Sequence, residues 1–289
     1  MKKPLFTGVC TALVTPFLDG RVNYPMAQQL IQRQVDAGVS AVVLAGTTGE
    51  APTLSDSEKI ELFKRCKDFV GDKCKIIAGT GSNDTEHTIA LSQAAEVVGV
   101  DGLLIVSPYY NKANANGLYL HYATVANSVN IPIILYNVPS RTGVDIPIDV
   151  YKRLSVLPNI AGIKEASADI TKQLRTHAIC GHDLPVWAGN DDQIVASIAL
   201  GGLGVISVLS NINPRETVEM TRAALSGDFK TAAALQQYLI ETIDLLFSDI
   251  NPIPIKYAMN CIGYDCGNCR SPLCAPTPEL QNKLKHHFH

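Results

Sequence analysis

An α/β chain built as a (β/α)₈ TIM barrel with a C-terminal helical appendage is predicted by three observations. Eight short runs rich in valine, isoleucine and leucine recur along the chain, longer amphipathic stretches separate them, and the strand-like runs stop after Asn213. The runs are Gly8–Thr15, Ala41–Gly46, Lys75–Gly79, Gly102–Ser107, Pro132–Asn137, Ala161–Glu165, Pro185–Gly189 and Gly204–Ser207. Near-continuous apolar character marks strands covered on both faces. Stretches 55–69 and 85–98 carry the helical spacing, and Ser55 with Glu58 forms the S-x-x-E signature of a helix start. Asp191–Leu200 reads as a further helix. A doubly wound open sheet is the competing arrangement. It would usually need fewer strands, and its G-x-G-x-x-G fingerprint is missing after the first run. From Pro214 to Leu284 the pattern is helical, broken at Gly227-Asp228 and Asn251-Pro252. The expected division is a barrel over 1–224 and a helical unit over 225–289.

A chain of 289 residues, 46% apolar and 18% charged, has the material for one large core. With 24 basic and 27 acidic residues the net charge is −3, which gives no footing for nucleic acid or an anionic membrane surface as partner. No apolar run reaches the roughly 18 residues a membrane span requires. The opening MKKPLFTGVCTALVTPF has the charge and apolar content of a signal peptide. However, Pro4, Thr7, Thr11, Thr15 and Pro16 interrupt it and no small-residue cleavage site follows, so it reads as the first barrel strand of a cytoplasmic protein.

In such a barrel the C-terminal strand ends face the active-site mouth. Here those ends read Gly46-Thr47-Thr48-Gly49-Glu50, Ser107-Pro108-Tyr109-Tyr110-Asn111, Tyr136 to Gly143, and Gly162 to Ser167 around Lys164. A lysine in a buried strand is costly, because desolvation disfavours the ammonium form, and the neutral amine is the form that attacks a carbonyl to make an imine. Ile160, Gly162, Lys164 and Ala166 share a face at period two. A lysine snorkelling to solvent, or paired with Glu165, is the plainer alternative. Tyr136 ends the preceding strand, where a phenol can shuttle protons or serve as a core aromatic. Thr47 and Thr48 offer hydroxyls and backbone N–H groups suited to a carboxylate, or simply turn chemistry. Arg141 offers a bidentate fork to a second carboxylate, or is a surface arginine. The glycine-rich Gly79–Gly81 and Gly201–Gly204 stretches could suggest phosphate, but the latter precedes its strand and so lies at the wrong end.

The motifs GTTGE (46–50), SPYYN (107–111), YNVPSRTG (136–143), GIKEAS (162–167) and GGLGVISV (201–208) together resemble the dihydrodipicolinate synthase and N-acetylneuraminate lyase superfamily, over essentially the whole chain. The resemblance implies that Lys164 forms an imine with pyruvate. It also implies that Thr48, Tyr136 and Tyr110 make a proton relay, Tyr110 being supplied across a dimer interface. Thr47 and Thr48 would bind the pyruvate carboxylate, and Arg141 that of L-aspartate 4-semialdehyde. Gly189, Asn190 and Ile206 would line the site, with Asn190 standing where relatives usually have aspartate. The protonated imine is the electron sink, so neither metal nor organic cofactor is implied. Arg141 favours the synthase branch, acting in the diaminopimelate route to lysine, over sibling lyases and sugar-acid aldolases. A homotetramer of two dimers is implied as well. Many relatives are inhibited by lysine at positions matching Ala51, Pro52, Asp56, Lys59, Asn83, His87 and Tyr109. Lys59 and His87 replace residues suited to a cationic ligand, so inhibition here is expected to be weak or absent.

Cys261, Cys266, Cys269 and Cys274 cluster near the end of the chain. A zinc, iron–sulfur or redox module is the different-class alternative for this segment, but only one C-x-x-C is present, and cysteine substitutes well for small apolar residues in a helical tail.

Overall fold

The computed structural model describes residues 2–288; Met1 and His289, the outer limits of the two predicted units, lie outside them. Among the described residues, eight parallel strands close into a barrel. Strand β1 (Gly8–Ala12) leads into a small antiparallel hairpin of β2 (Phe17–Leu18) and β3 (Arg21–Val22), then α1 (Tyr24–Asp36). The βα units that follow are β4 (Ala41–Leu44) with α2 (Asp56–Val70), β5 (Lys75–Gly79) with α3 (Thr85–Val98), and β6 (Gly102–Val106) with α4 (Ala115–Ser128). Next come β7 (Ile133–Asn137), the short α5 (Pro139–Thr142), α6 (Ile148–Ser155), β8 (Ile160–Glu165) and α7 (Ile170–Cys180). Strand β9 (Val186–Ala188), α8 (Ile194–Ala199) and β10 (Gly204–Ser207) complete the barrel. Strand β1 pairs with β10 on one side and β4 on the other, so the opening segment is a fully integrated barrel strand.

The strands alternate two buried faces, as a closed parallel barrel requires. Inward residues such as Cys10, Val43, Ile77, Ile134, Trp187 and Ile206 fill the interior. Outward residues such as Val42, Ile76, Leu103 and Ile163 join the helices in the larger core. The predicted capping box forms: Ser55 Oγ accepts from the Glu58 amide while Glu58 accepts from the Ser55 amide. Of the predicted helix at 191–200, only Ile194–Ala199 is α-helical; Asp191–Gln193 is a single 3₁₀ turn. The glycine-rich stretches are explained by packing. A Cβ on Gly79 would lie 2.2 Å from the Ala45 carbonyl oxygen, and one on Gly204 1.8 Å from that of Gly8.

Beyond β10, α9 (Pro214–Leu225), α10 (Phe229–Leu246), α11 (Ile253–Cys261) and α12 (Pro278–Phe288) pack on the barrel, and Leu239, Ile255, Met259 and Leu284 share its outer core. The expectation of unbroken helix from 253 to 284 is corrected: residues 262–277 form an irregular strap. Gly263 and Gly267 take positive φ and Pro272 and Pro276 remove donors, so the helix cannot continue. The strap carries Cys266, Cys269 and Cys274, so these are not positions of a helix as expected. Cys266 is buried and Cys274 exposed, and among the described residues no three His, Cys, Asp or Glu side chains converge as a metal site would need. Burial pushes the Cys266 and Cys269 thiols up to about 12, far from a reactive thiolate. Among the described residues no helix is long and apolar enough to cross a membrane.

Candidate active site

The C-terminal mouth of the barrel gathers most of the residues singled out above. Lys164 lies on β8 directly in register with Tyr136 on β7, and its Nζ stands 4.5 Å from the Tyr136 ring centroid. Lys164 is 5% exposed and Tyr136 6%, so the amine is held inside rather than snorkelling. Glu165 points the other way. It accepts from Asn137 Nδ2 at 2.9 Å, the Tyr151 hydroxyl at 2.9 Å and the Ser167 amide at 2.9 Å, and is the structural partner of its neighbours rather than of Lys164. Burial and the Glu165 carboxylate push the Tyr151 phenol well above its ordinary range, so that hydroxyl stays a donor.

One detail of β8 departs from period two. The β7–β8 register shifts between Ile133 and Ile134, leaving Ala161 as an extra residue. Ile160 therefore joins the outer core, while the inward set is Gly162, Lys164 and Ala166. Gly162 makes room for Trp187, whose ring would lie 2.6 Å from an added Cβ. Ala166 in turn fills the space beside Gly189, where an added Cβ would approach the Ala166 Cβ to 2.5 Å.

Thr48 is buried at the tip of the loop after β4 and its Oγ1 accepts from Asn251 Nδ2 at 3.0 Å. Thr47 is half-buried beside it. Arg141, on α5, is exposed and donates from Nη2 to the Asn251 carbonyl at 3.1 Å. Thr47, Tyr136 and Arg141 line one cavity of about 590 Å³, which extends past Lys59 and His87 to Tyr109. Gly189 and Asn190 are half-buried at the end of β9, and Ile206 is buried inside the barrel. Tyr110 is not drawn into this cavity: it is 88% exposed, with a left-handed backbone at φ 70°.

The outer part of the cavity holds an internal charge cluster. Asp56 accepts from His87 Nε2 at 2.8 Å and lies 3.6 Å from Lys59 Nζ. Burial alone would push the Asp56 carboxyl up, but the hydrogen bonds and charges of His87 and Lys59 outweigh it and hold it low. Asn83 is not among the residues lining this cavity; its carbonyl accepts from Asn111 Nδ2 at 2.8 Å.

Three features of the site have no role predicted from the sequence. Asp191 is buried, and its Oδ2 accepts from the amides of Val208 at 3.0 Å and Leu209 at 2.9 Å. Burial pushes its carboxyl up, against hydrogen bonds from Ser207 and those two amides and against the charge of Lys164. Glu50 and Lys256 form a fully buried ion pair at 2.6 Å, with the Arg270 amide donating to Glu50 Oε2 at 2.8 Å. Burial lowers the Lys256 amine pKa while Glu50 opposes the shift. Asn251 is the third. Its signal was present in the sequence only as an Asn-Pro helix break.

The dihydrodipicolinate synthetase family model matches residues 5–289 of the chain. The chain is 44% identical over 285 residues to a 4-hydroxy-tetrahydrodipicolinate synthase of Acetivibrio thermocellus, covering 99% of this chain and 97% of that one. A dihydrodipicolinate synthase structure from Aquifex aeolicus superposes with a TM-score of 0.96 at 41% identity, covering 98% and 97% of the two chains. The chloride-inhibited enzyme of Acinetobacter baumannii, crystallised with pyruvate, superposes with a TM-score of 0.95 at 37% identity, covering 97% of each chain.

Proposed function

This chain belongs to the dihydrodipicolinate synthetase family, and we propose that it condenses pyruvate with L-aspartate 4-semialdehyde to 4-hydroxy-tetrahydrodipicolinate through an imine on Lys164. The observation that carries the assignment is the Lys164 amine enclosed in the barrel mouth, 4.5 Å from the Tyr136 ring centroid. The uncharged amine attacks the pyruvate carbonyl carbon, and the carbinolamine loses water to give a protonated imine. Loss of a methyl proton then yields an enamine, whose terminal carbon bonds to the aldehyde carbon of the second substrate. The amine of that substrate displaces Lys164, which closes the ring and frees the enzyme. The imine itself is the electron sink, so the scheme calls on no cofactor. Thr48 and Tyr136 pass the protons, with Tyr110 reaching the site of a neighbouring copy. Thr47 and Thr48 hold the pyruvate carboxylate, while Gly189, Asn190 and Ile206 shape the wall.

Borohydride added with pyruvate, followed by peptide mass mapping, tests the assignment. Reduction is expected to trap pyruvate on Lys164, and trapping elsewhere or nowhere overturns it. Turnover of aspartate semialdehyde but not of N-acetylneuraminate separates the synthase from its lyase siblings. Arg141→Ala removes a charge-assisted fork for the second carboxylate, so KM for aspartate semialdehyde is expected to rise about 10- to 100-fold with little change for pyruvate. An equal rise for both substrates contradicts the role given to Arg141.

The chemistry and its freely diffusing substrates fit a cytoplasmic enzyme. An exposed Tyr110 fits a homotetramer built from two dimers, in which each tyrosine serves its neighbour. Lysine inhibition is expected to be weak. Asp56, the carboxylate best placed to greet a cationic ligand, is already engaged by His87 and Lys59, and Lys59 adds a like charge. About 1 mM L-lysine is expected to leave more than roughly half of the activity, and a steep fall below that concentration refutes the prediction.

A further inference from the structure

Asn251 touches two residues of the proposed machinery with two different groups. Its side-chain Nδ2 donates to Thr48 Oγ1 at 3.0 Å, and its main-chain carbonyl accepts from Arg141 Nη2 at 3.1 Å. It is 6% exposed, and its own Oδ1 is buried with no partner among the described residues. A buried acceptor without a partner costs stability, so the amide is not oriented for its own satisfaction. Its location is fixed from behind. Lys256, one turn into the helix that Asn251 precedes, is locked to Glu50 at 2.6 Å.

We propose that Asn251 is a positioning residue for this reaction, its side-chain amide setting the direction in which the Thr48 hydroxyl passes a proton and its carbonyl aiming Arg141. The proposal rests on the function given above. A hydroxyl has one hydrogen and two acceptor sites, whereas an amide NH₂ can only donate. With one lone pair of Thr48 occupied by Asn251, the Thr48 hydrogen is directed away from Asn251 and is free for the relay. A group that accepts at position 251 would turn that hydrogen the other way.

Asn251→Asp makes this change at nearly constant size. It is expected to lower kcat about 10- to 100-fold and to slow borohydride trapping of pyruvate in parallel. KM for aspartate semialdehyde is expected to stay within about twofold, because Arg141 is held by the main chain at 251 and not by the side chain. In a Thr48→Val background the same substitution is expected to cost about twofold or less, since its effect passes through the lost hydroxyl. The proposal is overturned by an N251D enzyme with kcat near wild type, by a loss confined to KM, or by a loss that multiplies undiminished with that of T48V. If N251D does not fold, N251L, which removes the donor at similar size, carries the same cycle, and failure of both to fold also counts against a role in the chemistry. Absence of trapping on Lys164 in the wild-type protein would instead sink the parent assignment.

Discussion

Lys164→Ala is expected to lower kcat by about 10⁴- to 10⁶-fold, the loss seen when a covalent nucleophile is removed while the surrounding site survives. The physical reason is that, in the proposed mechanism, the other groups act only on intermediates attached to that amine. On that scheme Tyr136 and Thr48 have no proton to move until a carbinolamine exists, and no enamine forms without the imine. The fold is expected to persist or to gain stability, since the substitution removes a polar amine that is 5% exposed in an apolar strand end. Steady-state turnover, borohydride trapping and a thermal melt on the same preparation check all three statements. A variant retaining activity within about tenfold of wild type, with an unchanged melt, would remove Lys164 from the mechanism.

Lys256→Met is expected to destabilise the protein by about 3–5 kcal/mol, the cost of leaving a buried charge without its partner. Glu50 is 1% exposed at its side chain and would keep the Arg270 amide at 2.8 Å and the neutral Cys269 thiol, neither of which replaces the lost cation. Removing both charges, as in Glu50→Leu with Lys256→Met, is expected to cost much less than the two single changes together, because no orphaned ion remains. Urea unfolding of the three variants reads these differences directly. A single-variant cost below about 1 kcal/mol would show that water reaches the pair. The aromatic face of Phe17 lies 3.8 Å from Lys256 Nζ and 4.3 Å from the Arg270 guanidinium, so the hairpin, the loop after β4 and the tail strap share one electrostatic joint. The joint is reinforced by the fork from Arg270 to Glu58, whose carboxyl that hydrogen bonding holds down near about 2.

Much of this architecture is legible in the residues. The eight strands announce themselves because each is buried on both faces, and strands 75–79 and 204–207 match to the residue. Lys164 is legible because a cation inside such a run needs an explanation. The bulge at Ala161 is not, since a one-residue register shift depends on how β7 presents its hydrogen bonds. The hairpin at Phe17–Val22 is too short to carry a period. Asp191 and Asn251 are invisible for a different reason. Each is an ordinary polar residue locally and acquires its meaning from partners 17 and 203 positions away. The strap at 262–277 carries helix-ending residues in Gly263, Gly267, Pro272 and Pro276, but its cysteines substitute for small apolar residues and so fit a helical tail equally well.

The joint between Glu50 and Lys256 spans 206 positions of chain, and that between Thr48 and Asn251 spans 203. Contacts of such high order carry a loop-closure cost. Closing the cylinder carries a similar one, since β1 meets β10 where Gly8 pairs with Gly204. In the native protein the two are nonetheless separable: a partial opening that lifts only the last helices would, on the role proposed for Asn251, silence the enzyme while leaving its cylinder intact.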